Sequence, residues 1–106
     1  MEWIKIFNST AEARERIGVG KPQLVVIGAK RICLARVGES FFAVGDKCSH
    51  NGESLSKGKI NYIGEIVCPW HGYRFNLQSG RCAENYPDLP TYPVLEDEEG
   101  FFIGVG

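Results

Sequence analysis

No apolar run in this chain approaches the ~20 residues that a membrane-spanning helix requires. Positive charge is not in excess either, since 12 Lys and Arg stand against 13 Asp and Glu. The first absence argues against a membrane span, and the second against a nucleic-acid partner. No secretory leader is expected either, since Met1-Glu2-Trp3-Ile4-Lys5-Ile6 has no basic stretch followed by a long apolar segment. The expectation is a cytoplasmic protein, in which four cysteines serve as metal ligands or reduced thiols before they serve as disulfides. With 106 residues there is no length for a second catalytic domain, so 1–106 reads as a single domain. Only two histidines are present and no glycine-rich phosphate loop occurs. Nothing in the chain resembles a catalytic apparatus, and the reading is a non-enzyme.

What the chain does contain is regular punctuation. Thirteen Gly and five Pro interrupt it every ten residues or so through its middle, which favours many short strands. Apolar and β-branched runs between these breaks predict strands at 3–7, 24–27, 32–37, 41–44, 60–63, 65–68, 73–77, 91–95 and 101–105. One short helix is expected over 9–17, capped by Ser9 or Thr10 and ended at Gly18. The acidic run Glu96-Asp97-Glu98-Glu99 before Gly100 reads as a solvated hairpin turn. Strand-rich order without a long helical period predicts an all-β fold of antiparallel sheets. The stretch from about 46 to 82 stands apart, because it is dense in Cys, His, Gly and Pro. That composition suits organisation around a ligand more than around apolar packing.

Both histidines lie beside a cysteine in that stretch. Cys48-Ser49-His50 comes first, and Cys68-Pro69-Trp70-His71 follows after the 17 residues 51–67. Unligated loop histidines and buried cysteines would not account for this pairing. Gly52 and Gly72, each soon after a histidine, permit the tight turns that let two ligands of one loop reach a common centre. Two Cys and two His could hold a tetrahedral zinc. Zinc sites usually keep cysteines together and histidines together, however, whereas here each loop contributes one of each. The mixed order suits two metals, with both thiolates on one iron and both imidazoles on the other.

Cys48-Ser49-His50-Asn51-Gly52 with Ser54-Leu55, followed by Cys68-Pro69-Trp70-His71-Gly72 and Phe75, resembles the signature of the Rieske family. Leu89-Pro90 with Thr91-Tyr92-Pro93-Val94 resembles the return of small Rieske ferredoxins to their closing strands, so the likeness covers most of the chain. It implies a Rieske-like fold of three antiparallel sheets and one [2Fe–2S] cluster. Cys48 and Cys68 would bind the inner iron, His50 and His71 the outer, and Tyr86–Pro90 would form a third covering loop. Respiratory and photosynthetic members carry a disulfide between the two ligand loops; Glu53 and Trp70 occupy those positions here. Tyr73 and Phe75 replace the two hydroxyl donors of those members. The resemblance is therefore to the ferredoxin and oxygenase branch. Cys33 and Cys82, outside the motif, read as small buried residues, with a disulfide between them as the alternative.

With neutral imidazoles, two thiolates and two sulfides, the diferric cluster is formally neutral and becomes singly negative on reduction. An all-cysteine set is already doubly negative before it accepts an electron. Histidine ligation therefore raises the potential into a window of roughly −150 to +300 mV. Loss of the hydroxyl donors places this chain toward the low end. The function implied is shuttling of single electrons from a flavin-dependent reductase to a terminal oxygenase or similar enzyme. Docking would use the tip around His50, His71 and Trp70. The alternatives are a small accessory subunit of a multi-component reductase and a redox-sensing regulatory module.

Overall fold

The computed structural model describes residues 1–106. It contains ten strands, one α-helix and one 3-10 helix. The strands are β1 (Glu2–Phe7), β2 (Gln23–Ile27), β3 (Lys30–Val37), β4 (Ser40–Gly45), β5 (Lys59–Ile60), β6 (Glu65–Val67), β7 (Arg74–Asn76), β8 (Thr91–Tyr92), β9 (Val94–Asp97) and β10 (Gly100–Val105). They form three antiparallel sheets with orders β1-β10-β9, β2-β3-β4-β8 and β5-β6-β7. This is the fold class expected from the sequence.

The four-stranded sheet lies between two apolar cores. Side chains alternate across a strand, so a strand covered on both faces reads as a continuous apolar run. In β3, Ile32 and Leu34 enter one core with Phe41, Phe101 and Ile103, whereas Cys33 and Ala35 enter the other with Leu55, Ile66 and Phe75. The first core is sealed by aromatic edges: Phe101 meets Phe41 at 4.9 Å and Phe7 at 5.6 Å between ring centroids.

The helix α1 (Thr10–Arg16) is short and polar except for its inner face, where Ala13 is buried together with Ile17 just beyond the helix. Ser9 caps it, its hydroxyl accepting the Glu12 N–H at 3.0 Å, while Glu12 reaches back to the Asn8 N–H. Arg36 donates to the carbonyls of Arg14 and Ile17, tying the C-terminal end of the helix to β3.

Three expected elements differ. The run 60–63 supplies only Ile60 to a strand, because Asn61 Oδ1 accepts the N–H groups of Ile63 and Glu65 and turns the chain. The expected strand 91–95 is two strands in different sheets, β8 against β4 and β9 against β10, divided at Pro93. Strand β9 also runs into the acidic segment as far as Asp97, leaving only Glu98 and Glu99 in the turn.

Candidate metal centre

Two loops carry the four candidate ligands, and both are closed in the same way. The Cys48 N–H donates to the Glu53 carbonyl at 2.9 Å, and the Cys68 N–H donates to the Tyr73 carbonyl at 2.8 Å. In each case the cysteine sits at the foot of a loop and the histidine at its crest. Both loops need backbone in the left-handed region: Gly52 has φ +78°, Gly72 φ +71°, and His71 itself φ +70°. For a histidine that conformation is uncommon, so the surrounding loop must hold it there.

The arrangement layers the donors. Cys48 and Cys68 are each only 1% exposed, whereas His50 is half-buried and His71 exposed. The imidazole centroids lie 6.1 Å apart with planes at 84°. The thiols face one another: burial pushes the Cys68 thiol above its ordinary pKa, and the neighbouring Cys48 adds to the rise. Asn51 Oδ1 lies 3.9 Å from Cys68 Sγ, linking the first loop to the second. His50 Nδ1 is buried with no hydrogen-bond partner. Buried polar atoms are almost always satisfied, so this orphaned nitrogen suits a ligand position. No three of the His, Cys, Asp and Glu side chains are grouped closely enough to hold a single ion. Two thiols below and two imidazoles above suit a binuclear group better than one zinc.

A family model for the Rieske [2Fe–2S] domain matches residues 6–96. The chain belongs to the Rieske [2Fe–2S] family. The ferredoxin subunit of 3-phenylpropionate/cinnamic acid dioxygenase from Escherichia coli (strain K12) is 36% identical over 74 residues, which cover 68% of this chain and 70% of that subunit. The corresponding subunit from Shigella boydii serotype 4 matches to the same extent. A solved complex of reduced oxygenase and oxidised ferredoxin in carbazole 1,9a-dioxygenase contains a chain with 28% identity. It superimposes with a TM-score of 0.81 over 95% of this chain and 100% of its own. The ferredoxin of carbazole 1,9a-dioxygenase from Nocardioides aromaticivorans IC177 shares the fold at a TM-score of 0.82 with 20% identity, covering 98% of each chain.

The Rieske domain's prosthetic group is one [2Fe–2S] cluster, and the donors here fit it in type and in depth. Supporting residues that the motif did not reveal surround them. Asp46, 1% exposed, accepts the Ser54 hydroxyl and, at 2.7 Å, the Ser56 N–H. It thereby pins the 3-10 helix Leu55–Lys57 beneath the first loop. An aspartate two residues before the Cys-x-His motif, answered by Ser54-x-Ser56, was a signal available in the sequence. Tyr73 and Tyr86 enclose His50, with centroid distances of 4.0 and 4.5 Å, and meet each other at 5.0 Å. The Tyr86 hydroxyl holds the Tyr73 hydroxyl above its usual pKa. Tyr86 belongs to the expected covering loop, which is anchored by buried Leu89 through its N–H to the Gly80 carbonyl at 2.8 Å. Trp70, 58% exposed, stacks on His71 at 5.3 Å and 13°.

All four cysteines are free thiols, Cys33 and Cys82 included. Both of these lie in the same apolar core as Cys48 and Cys68, as small buried residues. Burial, with Asp46 nearby, pushes the Cys33 thiol up to about 12, which leaves it protonated and unreactive. No helix of the chain is long and apolar enough to cross a membrane.

Proposed function

We propose that this chain is a one-electron carrier whose cluster is held by Cys48 and Cys68 on the inner iron and by His50 and His71 on the outer. The observation that carries the reading is the depth difference within the donor set: buried thiols face each other beneath imidazoles that reach the surface. When bound, the cluster supplies a site that takes up and releases single electrons. The chain's own residues determine where the electron can leave. Apolar packing around the cysteines excludes water on the inner side, and Tyr73 and Tyr86 shield His50. His71, stacked on exposed Trp70, offers the shortest route to a partner.

Residues 1–106 are read as one domain in which about 46–82 forms the cluster-binding part. The remainder carries no second group of donors, so substrate chemistry belongs to a partner. In its relatives the ferredoxin is a subunit of a dioxygenase system. By that likeness the acceptor here is an oxygenase or similar terminal enzyme; we further propose a flavin-dependent reductase as the donor and the cytoplasm as the place of exchange.

Iron and sulfide analysis of anaerobically prepared protein, with absorption and EPR spectra, tests the reading. Two irons and two labile sulfides per chain are expected. His50→Ala and His71→Ala should each abolish the cluster or change its spectrum, while Cys33→Ala and Cys82→Ala should leave it nearly intact. Zinc without sulfide, or loss of the cluster in a Cys33 or Cys82 variant, would overturn the assignment.

A further inference from the structure

Beside Cys68 the surface opens into a groove of about 470 Å³, walled on one side by Lys57 and Lys59 and on the other by Cys68, Pro69 and Gly72. The two lysines flank Gly58, whose backbone lies so close to the second ligand loop that a Cβ there would stand 2.0 Å from the Val67 carbonyl oxygen and 3.2 Å from Pro69 Cδ. The Gly58 N–H closes the arch onto the Leu55 carbonyl at 2.9 Å, and Asp46 holds it from beneath through Ser56. Backbone contacts therefore fix where the lysine stems emerge. Both side chains are exposed and neither joins an ion pair; all the ion pairs of the chain use Arg14, Arg36 or Arg74.

The carboxylates of this end are largely committed elsewhere. Glu65 and Glu84 face Arg74, Glu53 accepts the Ser54 N–H, and Asp46 is buried and bonded to Ser54 and Ser56. Lys47 adds another exposed cation at the first ligand loop. Unpaired surface charges beside the metal centre orient an approaching charged surface even when total charge gives little attraction.

We propose that the Lys57–Lys59 groove receives a carboxylate-bearing segment of the protein that exchanges electrons with the cluster. The proposal rests on the carrier reading above. Its test uses reduced holoprotein and two one-electron oxidants of opposite charge, ferricyanide and tris(1,10-phenanthroline)cobalt(III), each of which takes one electron from the cluster. At low ionic strength, Lys57→Glu with Lys59→Glu should slow oxidation by ferricyanide and speed oxidation by the cobalt complex. The ratio of the two rates should change by about ten-fold, and the change should shrink as salt is added. Lys5→Glu with Lys21→Glu alters the net charge equally from exposed positions outside the groove and should leave the ratio nearly unchanged. Poly-L-glutamate, as the carboxylate probe, should slow ferricyanide oxidation of the native protein and not of the Lys57/Lys59 variant. An unaltered EPR signal verifies that each variant keeps its cluster. Equal responses in the two double variants, or poly-L-glutamate acting alike on native protein and groove variant, would overturn the groove. Failure of native holoprotein to reduce either oxidant would instead overturn the carrier reading.

Discussion

The two cores of this molecule are built on different principles. Between the β1-β10-β9 and β2-β3-β4-β8 sheets, the buried residues are Ala, Ile, Leu, Phe and Val, with no donor atom among them. The strands β1, β3, β4 and β10 in these sheets run six to eight residues, long enough for register and alternation to specify the packing. On the other side of β3 and β4 the core holds all four cysteines, and the covering sheet consists of strands two or three residues long. Such strands provide few ladder hydrogen bonds, and a small sheet of this kind is marginal by itself. The base is therefore a structure that apolar burial can complete, and the tip is one that a ligand must complete.

Removing the cluster should have the largest effect and should separate the two halves. Apoprotein prepared by anaerobic iron chelation is expected to lose amide-exchange protection across residues 47–82 while β1, β3, β4 and β10 stay protected. Hydrogen exchange read by NMR checks this, and a fully protected tip in the apoprotein would end the distinction. Phe101→Ala strikes the other half: deleting a fully buried ring that meets Phe7 and Phe41 should cost about 3–5 kcal/mol. The unfolding free energy from denaturant titration should fall by that amount, yet below the midpoint the visible spectrum of the cluster should match the native one.

A smaller loss is expected from Ser9→Ala, which removes the cap of α1 and should destabilise the base by about 1 kcal/mol, measured by chemical denaturation, with the cluster spectrum unaltered. The smallest effect concerns pH and belongs to the tip. The Arg74 N–H donates to Glu84 Oε1 at 2.8 Å and its guanidinium to Oε2 at 2.9 Å, which holds the Glu84 carboxyl below its ordinary value of 4.5. The stabilisation is therefore present in full above pH 4.5 and is lost as pH falls through the lower folded value. Because both groups are solvent-facing, the effect should be slight. Comparing acid-induced loss of protection around Ala83 in the native protein and in Glu84→Gln checks it, since the variant should show no such pH dependence there.

How much of this was legible in the chain varied with how local the signal was. The Cys-x-His and Cys-x-x-His loops were readable because each places its ligands within one tight turn, where sequence spacing and spatial distance are nearly the same thing. Strand β3 was readable because burial on both faces demands an unbroken apolar run. The division of 91–95 was only hinted at: Pro93 interrupts the strand-like Thr91-Tyr92 and Val94-Leu95, and the pairing partners show that it carries the chain from one sheet to the next. Tyr62 and Ile63 also read as strand, yet the Asn61 side chain captures the backbone there and leaves Tyr62 98% exposed.

The sequence by itself determined the all-β class, the four candidate ligands and the type of group they suit, because periodicity and ligand spacing are properties of neighbouring residues. Tertiary structure alone decided what surrounds those ligands. The Tyr73 and Tyr86 enclosure of His50 and the lysine groove beside Cys68 join residues from separate segments of the chain. Their proximity depends on how the three sheets stack, which no local pattern encodes.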